Sequence, residues 1–524
     1  MALEADLPSD PKALRAMLAA AQARIAALEQ ERDTALGESE RLRAIIAALN
    51  RRTFGRRSER LDPDQLALGL EDLEQSLAAV EAAEERDGRN GATGLPSRRR
   101  KTNRGALPAH LPRVETLIDI ADKTCPCCAG PLHPIGEDKS ERLDRVPAQL
   151  RVLVTRRPKY ACRTCEGAVV QAPAPPRLIE GGLPTEALIA QVVVAKYADH
   201  LPLYRQAQIF ARQGIDLDRS TLADWVGRAA WYLRPLHAHL LADLRQSGKL
   251  FADETPAPVL DPGRGRTKTG QFWAYARDDR PWGGPAPPAV AYVYAPDRKA
   301  EQPIAHLQGF RGVLQVDGYA GYGRLAKTGQ VALAFCWSHV RRPFYEIAEG
   351  GNAPIATEAL RRIAQLYAIE AELRGRDADT RRAQRQARSR PLVEALKSWL
   401  EAQRTAVSQK ATIAKPIRYA LARWEGLTRF LDDGRVEIDS NAVERSIRPI
   451  TLNRKNALFA GSDGGGEHWA ILASLIETCK LNAVDPQAWL TDTLQRLAAG
   501  HPINRIGELL PWKRADQAPS TVRS

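Results

Sequence analysis

The sequence predicts a multidomain α/β chain built around a mixed five-stranded sheet with flanking helices. A coiled coil, a zinc-binding unit and a helical region precede that core. Three observations carry the prediction. Five short apolar segments interleaved with helix-like stretches run from residue 250 to residue 349. Four of the seven cysteines form two C-x-x-C pairs. A seven-residue apolar repeat lies near the start of the chain. At 524 residues the chain exceeds one ordinary domain, so several units are expected.

Lys and Arg number 76 against 63 Asp and Glu, a formal net charge of +13. Such a balance suits a polyanionic partner, and nucleic acid is the first candidate. No run of about 18 apolar residues is present to span a bilayer. The start, MALEADLPSD, has no basic region followed by an apolar one, so no secretory signal is expected. The expected location is cytoplasmic, associated with the nucleoid.

Residues 10–50 are expected to form a coiled coil. Leu14, Ala21, Leu28, Ala35, Leu42 and Leu49 make one heptad row, and Leu18, Ile25, Arg32, Ser39 and Ile46 its companion. Arg32 and Ser39 interrupt the second row, which fits a short self-association helix and a homo-oligomer. Residues 51–110 hold RRTFGRRSER, a second helical stretch, and GRNGATGLPSRRRKTNRG. The last of these has few large apolar residues and reads as a linker that can track DNA backbone.

A zinc-binding unit is expected at 115–175. Cys125 and Cys128 make one knuckle and Cys162 and Cys165 the other, with the β-prone run RVLVTRR between them. Four thiolates would fill a tetrahedral Zn²⁺ and leave no position for substrate or water, so the metal's role would be structural. Cys127, inside CPCC, is a competing ligand.

Residues 183–235 read as a helix-turn-helix-like DNA-binding region. A break at Gly214 precedes a second helix that Ser220 could cap, with Arg219 and Arg228 as its basic contacts. An ordinary helical hairpin explains the same pattern.

Residues 245–470 are expected to hold the catalytic core, with a helical insertion at about 350–430, followed by a helical region at 471–515. LFADETP is an apolar strand closed by Asp253; QFWAYARDD and AVAYVYAPD alternate as strands two and three. GVLQVDGYAGYG is a fourth strand ending in Asp317, and VALAFCWSHVRRPF a fifth that runs into a helix. Three meander strands, then helix, strand, helix, strand, helix, is the order of an RNase H-like sheet. There strands one and four are neighbours, so Asp253 and Asp317 would face each other. The third acid must come from a later helix, and DSNAVERSIRPI supplies Glu444 about one turn inside a helix that Ser440 or Asp439 can cap.

Three acids in this order suit two Mg²⁺ (or Mn²⁺) about 3.5–4 Å apart, the arrangement used to break phosphodiesters. Taken singly, each acid is weak evidence, because most Asp residues at strand ends are turn formers. Arg445 and Arg448 beside Glu444, and Lys455 just beyond, are candidate DNA phosphate contacts.

With these segments in view, the chain resembles the transposases of bacterial insertion sequences of the sixty-six family (TnpC type) over nearly its whole length. The resemblance is carried by the zipper, RRTFGRRSER, CPCC…GEDKSERLDRVP…RRPKYACRTC, KYADHLPLYRQ, ADETP, VDGYAGY, CWSHVRRPF, DSNAVERSIRPITLNRKNALFAGSDGGGEHWA and SLIETCKLNAVDP. In that family the acids of a DDE triad fall in the ADETP, VDGYAGY and N-x-x-E-R segments, here Asp253, Asp317 and Glu444. The resemblance implies hydrolytic nicking at the element's terminal repeats, then attack of the freed 3′-hydroxyl on target DNA. It also implies small element-encoded accessory proteins. A catalytically inactive DNA-binding regulator is the competing reading. One departure is GSDGGGEHWA, where His468 and Trp469 follow Glu467 in place of a small-residue-Glu-Arg pattern. Glu467 thus competes as third acid, but its Gly-rich setting at a helix start more simply makes it an N-terminal helix acid.

Overall fold

The computed structural model describes residues 111–146, 149–164, 167–261, 266–327 and 329–515, with a few isolated positions before them. The coiled coil expected at 10–50, nearly all of the basic segment at 51–110, and Cys165 lie outside the described residues.

The cysteine-bearing unit is a four-stranded sheet of β1 (Arg113–Leu117), β2 (His133–Val146), β3 (Gln149–Ala161) and β4 (Val169–Gln171). β1 runs parallel to β3, while β2 and β4 pair with it antiparallel. Val152 and Val154, two residues apart, share a face and are buried. They join Leu143 in the main core of the molecule rather than forming a core of their own.

Helices α1 (Glu186–Tyr197), α2 (Leu203–Arg212) and α3 (Arg219–Arg245) follow. Thr185 caps α1 by accepting the Leu188 N–H. Gly214, at φ +79°, makes the turn after α2, where a side chain would be strained. The cap of α3 is Asp218 and not Ser220, because the Asp218 carboxylate accepts the Ser220 N–H at 3.2 Å. Arg228 is not an exposed contact: it is 1% exposed and its Nε donates to Asp224. Leu222, Trp225, Val226 and Leu233 of the same helix are buried in the main core, which accounts for the position of Arg228.

The five-stranded sheet consists of β5 (Lys249–Asp261), β6 (Arg266–Arg277), β7 (Ala289–Ala295), β8 (Gly312–Val316) and β9 (Val331–Phe335), ordered β7-β6-β5-β8-β9. β5, β6 and β7 are an antiparallel meander; β8 pairs parallel to β5, and β9 parallel to β8. The short helices α4 (Glu301–His306) and α5 (Gly323–Ala326) lie before and after β8. β5 is longer than expected, because its pairing with β6 continues to Asp261, past the acid that was to close it.

Helix α6 (Trp337–Glu349) follows β9 and packs with the later helices α7 (Pro354–Leu373), α8 (Ala378–Gln384), α9 (Arg390–Ala406), α10 (Ala414–Ala422) and α11 (Trp424–Asp432) into a second core around Trp337, Phe344, Ile363, Leu396 and Phe430. Arg385 is fully buried there and binds Glu370 through Nε at 2.8 Å and Nη2 at 2.6 Å. The chain then returns to the sheet with α12 (Asn441–Ala457), α13 (Asp463–Leu481) and α14 (Pro486–Ala498). Strand β7 lies at the sheet edge, and α13 covers it. Ser474 Oγ accepts the Tyr292 N–H at 2.7 Å and Thr478 Oγ1 accepts that of Val290 at 3.2 Å. Polar groups that an edge strand would leave open are thereby met. Helix α13 also runs across the boundary expected near residue 470. Among the described residues no helix is long and apolar enough to cross a membrane.

Candidate active site

The parallel ladder between β5 and β8 pairs Lys249 with Val313, Leu250 with Leu314 and Phe251 with Gln315. Asp253 and Asp317 each stand two residues beyond its last rung. Side chains alternate along strands, so the shared register brings the two acids to one end of the sheet. They interact: burial first, then the charge of Asp317, pushes the Asp253 carboxyl up from 3.8 to about 7, and Glu254 and Glu444 push the same way. The Glu254 backbone N–H, donating to Asp253 Oδ1 at 2.8 Å, opposes them. Among the described residues neither Asp253 nor Asp317 has an ion-pair partner.

Glu254 shows the contrast. Its side chain is 2% exposed but is bound by Arg298, whose Nε lies at 2.9 Å, and by Tyr322 Oη at 3.0 Å. Its charge is therefore met by a cation, while among the described residues Asp253 has only the Glu254 N–H. Asp317 is held by its backbone: Oδ1 accepts the Tyr319 N–H at 2.8 Å, and its carbonyl accepts Tyr419 Oη at 2.5 Å. The next residue must be glycine. Gly318 sits at φ +109°, and a Cβ there would lie 2.7 Å from Arg423 Nε.

A buried amide positions the helix that carries Glu444. Gln315 of β8 is fully buried and donates through Nε2 to the carbonyls of Glu437 and Asp439 at 2.7 and 2.8 Å, while accepting the Glu437 N–H at 3.2 Å. The chain returning from the insertion is thereby fixed beside β8, and α12 begins there. Asp439, rather than the Ser440 side chain, meets the helix start by accepting the Asn441 N–H at 3.1 Å. Ser440 Oγ instead donates to Glu444 Oε1 at 3.3 Å. Glu444, His339 and Cys336 also meet, with one ligand-type atom of each within 4.8 Å of the others. His339 Nδ1 is 3.7 Å from Glu444 Oε1, and the buried Cys336 thiol is pushed up to about 11 by desolvation. Sequence reasoning missed Gln315 and His339; a glutamine inside an apolar strand and the C-x-x-H spacing at a strand end were the available signals.

Glu467 lies away from this cluster. It is exposed on the first turns of α13, 3.5 Å from Arg234. Arg445, Arg448 and Lys455 are exposed on α12, spaced by three and seven residues along one helix face. Arg454, between them, has a local role and donates to the Pro256 carbonyl at 2.5 Å.

In the four-stranded unit Cys125, Cys128 and Cys162 come together with their sulfurs within 4.8 Å, and Cys128 Sγ is 3.5 Å from Cys162 Sγ. The turn that brings Cys125 and Cys128 together is closed by the Cys125 N–H donating to Gly130 at 2.8 Å and the Ala129 N–H donating to Cys125 at 2.9 Å. Ala129 takes the left-handed conformation, φ +56°. Cys125 and Cys162 are buried, whereas Cys127 is exposed and outside the cluster.

Residues 181–468 match the model of the family described as Transposase IS66, and 474–512 match the IS66 C-terminal element. Residues 122–166 match the zinc-finger binding domain of transposase IS66, and 41–116 a model described as Transposase C of IS166 homeodomain. Among curated proteins, the chain is 49% identical over 487 residues to the uncharacterized protein y4jD of Sinorhizobium fredii, covering 91% of this chain and 95% of that one. It is 45% identical over 533 residues to the uncharacterized protein y4qI of the same organism, covering 97% and 98%. The sheet, the helical insertion, the cysteine cluster and these matches over the whole breadth of the chain lead to one statement: the protein belongs to the IS66 family of transposases.

Proposed function

We propose that the chain cleaves and joins DNA strands at the ends of an insertion sequence, and that Asp253, Asp317 and Glu444 are its reaction centre on an RNase H-like sheet. The carrying observation is the raised Asp253 carboxyl, at about 7, beside Asp317, neither of which has an ion-pair partner among the described residues. Buried like charges are costly unless paired or bound to metal, so this cluster fits hard divalent cations. Two Mg²⁺ or Mn²⁺ held by these carboxylates would activate the attacking oxygen and relieve charge at the phosphate and the leaving oxygen.

The chain's own groups hold that centre and the DNA. Gln315 keeps the start of α12 against β8, and Gly318 with Tyr419 fixes the turn that carries Asp317. Arg445, Arg448 and Lys455 present cations on the exposed face of the helix that carries Glu444, suited to gripping phosphates. Cys125, Cys128 and Cys162, with Cys165, hold one structural Zn²⁺, a role their sulfur-only donor set fits. Joining two element ends requires more than one active site acting together or in turn, so self-association through residues 10–50 and small accessory proteins belong to the same proposal.

The test is a labelled duplex carrying the element's terminal repeat. Cleavage with Mg²⁺ or Mn²⁺ that stops on chelation supports the reading; binding without cleavage at every metal concentration assigns the chain to the inactive DNA-binding regulators.

A further inference from the structure

Cys336, His339 and Glu444 form a constellation that the carboxylate centre does not require. Cys336 directly precedes α6 and His339 lies one turn inside it, while Glu444 stands on the first turn of α12. Ligand-type atoms of the three lie within 4.8 Å of one another. His339 Nδ1 is buried with no hydrogen-bond partner among the described residues, a state that folded proteins rarely leave unmet. It faces Glu444 Oε1 at 3.7 Å. Ligand atoms bonded to a tetrahedral Zn²⁺ at about 2.0–2.3 Å lie roughly 3.3–3.8 Å apart, so that pair is already at bridging separation. The Ser440 N–H donates to Cys336 Sγ at 3.2 Å, the kind of second contact that supports a ligating thiolate. A sulfur, an imidazole nitrogen and a carboxylate oxygen suit Zn²⁺ and are a poor set for Mg²⁺.

We propose that Cys336, His339 and Glu444 form a binding site for a thiophilic divalent cation, and that its occupancy draws Glu444 out of the carboxylate centre and inhibits strand cleavage. As the metal–sulfur bond forms, the Cys336 thiol gives its proton to solvent. His339 and Glu444 contribute lone pairs, water completes the coordination, and no oxidation state changes. The binding part stands on the geometry alone; the inhibition part rests on the reading of Glu444 given above.

The test uses the full chain and Zn²⁺ as the probe. After dialysis against buffered Zn²⁺, wild type should carry about two zinc ions per chain. Cys336→Ser and His339→Ala should each lose one of them, and Cys128→Ser the other. Equal zinc content in wild type, Cys336→Ser and His339→Ala overturns the site. Co²⁺ titration of wild type gives the same answer without a variant. The second equivalent should bring a charge-transfer band of single-thiolate intensity, and saturation at the first equivalent contradicts the proposal. In Mg²⁺, added Zn²⁺ should slow wild-type cleavage at least about tenfold where Cys336→Ser keeps its rate. Equal inhibition of both removes the inhibitory role. A wild type that cleaves nothing before Zn²⁺ is added contradicts the reading of the carboxylate centre, while the zinc count still decides this site.

Discussion

Asp253 and Asp317 occupy equivalent places on neighbouring parallel strands, each two residues past the Phe251–Gln315 rung, and the charge of one raises the carboxyl of the other. This pairing has a cost in the metal-free protein. The folded Asp253 carboxyl titrates at about 7 against 3.8 for the free group, so between those values the folded state holds more protons than the unfolded one. Stability is therefore full below about pH 4 and falls as pH rises toward 7. The difference corresponds to at most about 4 kcal/mol. Thermal melts in chelator should show Asp253→Asn more stable than wild type at pH 8 and nearly equal to it at pH 4. A wild type whose metal-free melting point does not fall over this range relative to the variant would contradict the coupling.

Gly318→Ala should damage the same centre from the backbone. The alanine would have to adopt φ +109° and displace Arg423 and Tyr419, at a cost of roughly 1–3 kcal/mol. Asp317 would move with the turn. A lowered melting point together with at least about tenfold slower cleavage is expected; unchanged cleavage would show that this turn does not position Asp317.

Removal of the structural zinc should loosen residues 113–171 before the rest of the molecule. Cys162→Ser should lower the zinc content by about one per chain and expose backbone amides of β2 and β3 to faster hydrogen exchange. Leu143, Val152 and Val154 belong to the main core, so a smaller effect should reach α1. Exchange in β2 and β3 equal to that of wild type would argue against a metal that supports this unit.

The cations of α12 should act on DNA affinity without regard to sequence. Arg445→Ala, Arg448→Ala and Lys455→Ala should each weaken binding to specific and random duplex alike and reduce the salt slope by about one. Binding isotherms at several salt concentrations read this directly. An unchanged slope in all three would place the phosphate path elsewhere.

The order of strands and the two aspartates were legible because each strand holds a short apolar run, and in the first four an acid stands in or just after it. β5 still ran on to Asp261, since its later residues pair with β6, a partner that a local pattern does not show. Arg228 looked like a DNA contact because a charged residue on an amphipathic helix is usually exposed; its burial against Asp224 follows from the way α3 packs into the core. Glu444 was legible from its motif, but what places it was not. The hydrogen bonds of Gln315 to Glu437 and Asp439 join segments separated by the whole insertion, and nothing local in either segment announces them. The same holds for His339, which meets Glu444 only after folding.

The most direct test of the reaction centre is single-turnover cleavage of labelled element-end DNA in Mg²⁺ by wild type, Asp253→Asn, Asp317→Asn, Glu444→Gln and Glu467→Gln. The first three variants should lose at least about 10³-fold in rate while still binding DNA. Glu467→Gln, exposed beside Arg234, should stay within about threefold of wild type. Full activity in Asp317→Asn or Glu444→Gln, or loss confined to Glu467→Gln, would contradict the assignment of Asp253, Asp317 and Glu444.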